Sequence, residues 1–195
     1  MEIKVILSSV AGALTIVGYT PYIIDILKGK TKPHIFSWLS GSVAATIATL
    51  LQLLGGAGVG AWVMCTVAIA CFAIFLLSFK YGTKDITKSD VAVLFLSLIV
   101  LILWLVVDQP VLSMILLTTS QLFEFLPTIQ KSWHDPYSET TLFYQISGVR
   151  HIVAILALEQ LNILTALYSS AWVVSNFGTA IMLSVRRKVV DSKQC

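Results

Sequence analysis

Residues 121–148 read QLFEFLPTIQKSWHDPYSETTLFYQISG, and the predicted fold depends on this stretch. A glutamate, Glu124, stands one turn before a proline, Pro127, in an otherwise apolar segment. The segment ends in basic and aromatic residues, passes an Asp-Pro turn at 135–136 and starts again at Ser138. This pattern predicts two helices joined by a short turn, the first of them interrupted by proline.

The same plan occurs earlier in the chain, where residues 18–41 read GYTPYIIDILKGKTKPHIFSWLSG. Pro21 corresponds to Pro127 at an offset of 106 residues. A one-residue insertion then changes the offset to 107, so that Gly41 corresponds to Gly148. We interpret the two stretches as copies of one helix–turn–helix unit.

The composition is that of a helical membrane protein. The chain has 195 residues, of which 57% are hydrophobic and 12% charged, and its mean hydropathy is +0.88. We place seven apolar spans at residues 4–27, 36–54, 59–79, 91–107, 111–131, 141–158 and 164–185. The sequence therefore predicts an all-α, polytopic membrane protein with seven transmembrane helices.

Lysine and arginine residues set the predicted orientation. If the N-terminus is outside, eleven of the 13 basic residues fall in the inner loops and the C-terminal tail. Lys4 alone is then outside, and Arg150 lies within a span. By the positive-inside rule we expect an inner (cell) membrane protein with its N-terminus outside and its C-terminus in the cytoplasm.

The span count agrees with a duplication. Two copies with the same orientation need an odd number of spans between them, and the span at 91–107 supplies it. We divide the chain into a first three-helix repeat (1–82), a linker helix (83–109), a second three-helix repeat (110–188) and a cytoplasmic tail (189–195). The predicted architecture is two parallel repeats joined by an inverting helix, a 3+1+3 arrangement.

These features resemble the PQ-loop and SWEET superfamily, and within it a bacterial branch. The resemblance is carried by the proline-broken helix, the basic turn with its Lys-Thr pair and the 3+1+3 layout. The chain departs from the name-giving motif, because Tyr22 and Thr128 follow the prolines where that motif has glutamine. The resemblance implies a membrane transporter that moves a small polar solute, such as a sugar or an amino acid, by alternating access. It leaves open a non-transporting receptor of KDEL-receptor type, and a purely structural membrane protein is the further alternative.

Pro21 and Pro127 are the candidate gate or hinge residues. A proline inside a helix removes one hydrogen bond and clashes with the preceding turn, at a cost of ~3 kcal/mol. The matched positions favour a hinge for rocking between two states. The alternative is a static kink that neighbouring helices tolerate.

Glu124 and Arg150 are the charged residues of greatest interest. A charged group within a span is costly and is a functional candidate by default. Glu124 shares a polar helix face with Gln121, and Arg150 lies in the following span, so the two charges are predicted partners. Three roles remain open: a structural ion pair, a carboxyl group that titrates during transport, or direct contact with the solute.

Asn176 and Trp172 complete the predicted solute site. The resemblance implies an asparagine at the central site in the last helix, although its counterpart in the first repeat is Ala70. The alternative for Asn176 is an interhelical hydrogen bond. The predicted substrate-binding residues are thus Gln121, Glu124, Arg150, Asn176 and Trp172.

No nucleotide-binding loop, catalytic triad or Cys/His cluster is present in the sequence, so we expect neither an enzyme nor a metal or other cofactor. The expected partners are a small-molecule solute and the lipid bilayer, not nucleic acid, because the positive-inside bias accounts for the basic loops. Whether the chain forms a homo-oligomer is open.

Overall fold

The fold is all-helical. The computed structural model describes residues 2–29, 32–82, 92, 95, 99–100, 102–103 and 105–191, with positions 127 and 131 described in their backbone alone. The described helices are α1 (Glu2–Leu27), α2 (Ile35–Leu54), a 3₁₀ turn (Gly58–Ala61), α3 (Trp62–Tyr81), α4 (Pro110–His134), α5 (Thr141–Ala157) and α6 (Ile163–Asp191). They cover six of the predicted spans. The remaining one, at 91–107, lies partly outside the described residues.

Local sequence signals account for several helix ends. The His34 ring nitrogen Nδ1 accepts the backbone N–H of Ser37 at the start of α2. Asn162 and Thr165 cap the start of α6 reciprocally, each side chain accepting the backbone N–H of the other residue. Beyond the end of α1, Gly29 takes a left-handed φ of 69°, which glycine adopts without steric cost.

The distribution of polarity is that of a protein in a bilayer. Among the described residues, four helical segments are long and apolar enough to cross a membrane: Glu2–Leu27, Ile35–Leu54, Gly58–Tyr81 and Pro110–His134. Thr141–Ala157 is a shorter apolar helix. Large apolar side chains such as Ile6, Trp62 and Val174 are exposed, whereas Gln52, His151 and Asn176 are buried. This arrangement reverses the usual pattern of a protein in water.

The described helices fall, in chain order, into two groups of three that are in extensive contact with each other. In the N-terminal group (α1–α3), helix α3 packs against both α1 and α2, and in the C-terminal group (α4–α6), helix α6 packs against both α4 and α5. Between the groups, α1 packs against α5, and α2 against α4 and α6. The main core joins the groups, with residues of α2 and α3 meeting Met114 and Leu117 of α4 and Tyr168 of α6.

Helix α6 continues six residues past the predicted end of its span at 185, because its basic end binds the turn between α4 and α5. Arg187 donates hydrogen bonds to the carbonyls of Pro136 (3.0 Å) and Glu139 (2.6 Å). The hydroxyl of Tyr137 donates to Asp191 at 2.7 Å, and this bond raises the pKa of that tyrosine. The turn is therefore fixed to the end of α6.

Candidate solute site

A cavity of about 510 Å³ lies between the two groups of helices, within the size range of small-ligand sites. Its mouth is at the end of the molecule where the basic loop between α1 and α2 lies, since exposed Lys32 and Ser37 line it there. Buried side chains, among them Val67 and Cys71, line its depth. The cavity thus leads from the basic end into the interior of the bundle.

Aromatic rings form most of the cavity wall. The lining rings are Tyr19, Tyr22, Trp38, Phe125, Tyr168 and Trp172. In the N-terminal group, Trp38 contacts Tyr19 and Tyr22, with ring centroids 6.1 and 5.1 Å apart. In the C-terminal group, Trp172 contacts Phe125 and Tyr168 at 5.3 and 6.3 Å. The two groups therefore present facing aromatic clusters.

Glu124 places a carboxylate on the cavity wall between these clusters. Its Oε2 accepts a hydrogen bond from the side-chain amide of Gln121 at 3.0 Å, one turn earlier on α4. Its Oε1 accepts one from the hydroxyl of Ser40 on α2 at 3.2 Å. The carboxylate is thus held from both groups of helices, which fixes its position in the cavity.

The structure brings together three of the five predicted binding residues. Gln121, Glu124 and Trp172 line the cavity, and Arg150 and Asn176 do not. Asn176 is buried and donates through Nδ2 to the carbonyl of Trp172 at 2.7 Å, within its own helix. This hydrogen bond therefore lies within helix α6, and Asn176 is not part of the cavity lining.

The predicted pairing of Glu124 with Arg150 is not formed. The guanidinium of Arg150 bonds instead to Thr15 Oγ1 on α1 (3.4 Å) and to Nε2 of the neighbouring His151 (2.9 Å). The reason is the packing order: α5, which carries Arg150, packs against α1 and α6, and α4 lies on the far side of α6. Helices α4 and α5 are therefore not packed side by side, although they follow each other in the sequence.

Arg150 and His151 stand behind the aromatic wall. The ring of His151 is stacked on Trp172, with an interplanar angle of 13° and a centroid distance of 6.3 Å. Arg150 bonds to this His151, so its guanidinium lies behind the Trp172 side of the cavity and outside the lining.

Two loops meet at the end of the molecule opposite the mouth, and we call their contact the loop clasp (residues 55–61 with 158–162). The backbone N–H of Glu159 donates to the carbonyl of Ala57 at 3.1 Å, and that of Gln160 to Gly56 at 3.2 Å. The side-chain amide of Asn162 donates to the carbonyl of Gly55 at 2.7 Å. The clasp thus joins the two groups by hydrogen bonds to backbone.

Glycines allow the clasp to close. A Cβ on Gly60 would lie 2.8 Å from the Cα of Leu158, which is too close for any side chain. Gly56 and Gly58 have left-handed φ values of 81° and 55°, which favour glycine. Below the clasp, buried Gln52 donates to the carbonyl of Thr165 at 3.0 Å and adds one more bond between the groups.

Sequence reasoning missed most of the aromatic wall and the clasp. One signal could have found two of the rings, since Tyr19 and Phe125 are 106 residues apart and occupy corresponding positions of the predicted repeat. The glycines at 55–60 and the Asn-x-x-Thr pair at 162–165 were also visible. Their meeting in space depends on the helix packing, which no local pattern specifies.

Comparison of this chain with protein-family models, with curated proteins and with solved structures returns no match.

Proposed function

We propose that this protein is a seven-helix transporter of the SWEET-like kind, which moves a small polar solute across the inner membrane by alternating access. The observation that carries the proposal is a cavity between two groups of helices that opens at the basic end and ends at buried core residues, while the loop clasp joins the groups at the far end of the molecule. Such a conformation is one of the two that alternating access requires. With the N-terminus outside, the cavity faces the cytoplasm.

The internal duplication supports this proposal. Tyr19 and Phe125 are corresponding residues and both line the cavity, as do Tyr22 and Thr128. In each group the third helix packs between the first and the second. Transporters built from parallel repeats place their solute site at the repeat interface.

The clasp is the contact that would have to separate for the far end to open. It combines hydrogen bonds to backbone groups, which water can replace, with a small buried cluster of Ala57, Ala61 and Leu158. A rocking motion about the cavity would open this end and close the mouth. Pro21 and Pro127, each inside a helix, are proposed as the places where α1 and α4 bend.

The native thiol of Cys71, which lines the cavity, gives a test that needs no knowledge of the solute. Cys71 is made the sole cysteine by Cys65→Ser and Cys195→Ser, and the protein is reconstituted in oriented vesicles. A membrane-impermeant thiol reagent is then added on either side. In the unaltered conformation we expect labelling of Cys71 from the basic-loop side.

Asn162→Ser is the variant that tests for the opposite-facing state. Serine keeps an oxygen for capping α6 but removes the Nδ2 donor to Gly55. We expect labelling of Cys71 from the clasp side to increase, and Thr119→Ser, at an exposed site on α4, to leave it unchanged. Absence of clasp-side labelling in every variant would contradict alternating access. Solute binding without flux in liposomes would instead identify a receptor.

A further inference from the structure

A layer of buried side chains separates the cavity from the loop clasp. On α2 the cavity lining ends at Ala45, and Gln52 lies about two helical turns further toward the clasp. The backbone carbonyl of Gln52 accepts the N–H of Ala57, a clasp residue, at 2.9 Å. On each helix the layer stands between the cavity lining and the clasp, and we call it the seal (Ala48, Leu51, Gln52, Met64 and Leu164). A solute that crosses the protein has to pass the seal.

Gln52 is the polar side chain of the seal, and only 1% of its surface is exposed. Its Nε2 donates to the carbonyl of Thr165 on α6 at 3.0 Å. Because a carbonyl can only accept, this bond fixes the orientation of the amide, and Oε1 points away from Thr165. No residue in the described part of the chain donates to Oε1, which is itself buried. The seal therefore contains a buried acceptor whose hydrogen bond is not made.

Such an acceptor is costly in the interior of a membrane protein, where its lost hydration is not replaced. The penalty is larger than the net gain from one hydrogen bond between neutral groups. When the two groups of helices separate at the clasp end, water or a hydroxyl or amino group of the solute can donate to Oε1. The closed seal thus carries a cost that the open seal does not.

We propose that Gln52 is a gating residue whose amide destabilises the closed seal and favours opening at the clasp end. The inference rests on the transport function proposed above and names a residue that sets its conformational balance. In the open seal, Oε1 faces the solute path and accepts a hydrogen bond there. The side chain is then a polar contact on the far half of that path, beyond the cavity lining.

A simple latch at the same place predicts the opposite effect. In that alternative the bond from Gln52 to Thr165 holds the two groups together, and its loss opens the clasp end. Gln52→Met separates the two, because methionine has a similar unbranched shape but lacks both the amide donor and the amide oxygen. The Thr165 carbonyl lies in the first turn of α6 and keeps its place in the helical hydrogen-bond pattern, so the substitution leaves no new unmet group.

The test uses Cys71 as the sole cysteine in oriented vesicles. Gln52→Met is introduced alone and together with Asn162→Ser, whose higher labelling from the clasp side makes a decrease measurable. We expect Gln52→Met to lower the rate of clasp-side labelling roughly tenfold and to raise the midpoint of thermal unfolding in detergent. Gln52→Leu is the second apolar variant and should act in the same direction.

Thr118→Val is the matched control. It also removes a buried polar group, but the hydroxyl of Thr118 donates to the carbonyl of Met114 at 2.8 Å, within α4. Because that bond does not join the two groups and leaves no acceptor unmet, the control should not change the side from which Cys71 is labelled.

Increased or unchanged clasp-side labelling in both variants of Gln52 would overturn the inference, since the residue would then be a latch or have no influence on opening. An unfolding midpoint that falls or stays the same in both would overturn it as well. Failure of alternating access has a different result, namely absence of clasp-side labelling in Asn162→Ser itself. The unfolding midpoints of the Gln52 variants then still decide whether the unmet acceptor destabilises the closed seal.

Discussion

Gly41 and Gly148, which correspond to each other in the predicted repeat, have different surroundings. A Cβ on Gly148 would lie 2.7 Å from the ring of Phe177, so α5 and α6 are in close contact there. A Cβ on Gly41 would meet Cys71 Sγ at an ordinary 3.9 Å. The third-helix partners, Cys71 and Phe177, are again 106 residues apart.

We therefore expect Gly148→Ala to destabilise the protein by ~1–3 kcal/mol, because the ring must move away from a close-packed site. Gly41→Ala is the matched control and should change the stability little. The measurement is the midpoint of thermal unfolding in detergent. Equal midpoints for the two variants would show that Phe177 relaxes without cost.

Glu124 and Arg150 provide the second prediction at this scale. Because the two side chains bond to different partners, Glu124→Gln and Arg150→Gln should not rescue each other. Glu124→Gln should fold nearly normally, since the amide oxygen can accept from Gln121 while the NH2 group donates to the Ser40 hydroxyl, which can keep its bond to the Ser37 carbonyl. A buried ion pair would behave otherwise, with each single variant costing ~3–5 kcal/mol and the double variant recovering much of the loss.

Unfolding midpoints of the two single variants and the double variant decide between these outcomes. Recovery of stability in the double variant would contradict the observed bonding. A matched control is Glu139→Gln with Arg150→Gln, because Glu139 accepts from Tyr144 at the inner turn, outside the cavity lining.

The sequence identified polar residues that line the cavity but did not identify their bonding partners. The cost of a charge in a membrane singles out Glu124, and helical spacing places it on one face with Gln121. The partner of Arg150 could not be found in this way. Thr15 lies 135 residues away in the chain, and its contact with Arg150 follows from the packing of α1 against α5.

At the scale of helices, the structure shows that the prolines lie within helical segments. Helix α1 runs from Glu2 to Leu27 through Pro21, and α4 runs from Pro110 to His134 through position 127. Proline at 21 removes the N–H that would otherwise bond to the carbonyl of Val17. Each helix therefore has one position where bending costs fewer hydrogen bonds.

We expect Pro21→Ala and Pro127→Ala to insert and fold normally, with unfolding midpoints no lower than that of the parent chain. Both variants should slow the exchange of the protein between the two conformations in which Cys71 is accessible from opposite sides of the membrane. The reason is that the added backbone hydrogen bond stiffens the helix. The measurement is the rate of sided labelling in vesicles. If both variants label at unchanged rates, the prolines are not hinges but kinks that the fold tolerates.

Hydrophobic periodicity placed the described helices to within a few residues. The second span, 36–54, corresponds to Ile35–Leu54, and the sixth, 141–158, to Thr141–Ala157. The largest difference is at the end of α6, where Arg186 and Arg187 contact Trp133 and Tyr137 and extend the helix. Interactions between distant segments determine such an end, and a local pattern does not contain them.

At the scale of the whole molecule, the all-helical class follows directly from composition, whereas the relation of the helices to each other does not. The loop clasp joins residues more than 95 positions apart through backbone atoms, which every residue has. Sequence alone cannot predict such a contact. The cavity mouth and the basic loop between α1 and α2 nevertheless lie at the same end of the molecule. The positive-inside rule predicts the side of the membrane on which the basic loops lie, and the cavity opens to that same side.

The last prediction concerns that direction. If the basic loops face the cytoplasm, the clasp faces outward and the cavity opens inward. In a cysteine-free background, Gln160→Cys should react with an impermeant reagent added outside intact cells, because this residue is exposed at the clasp. Lys188→Cys, exposed near the end of α6, should react only after the cells are opened, and so should Lys84→Cys, which lies outside the described residues. The opposite pattern of labelling would reverse the orientation, and the cavity described here would then open to the outside.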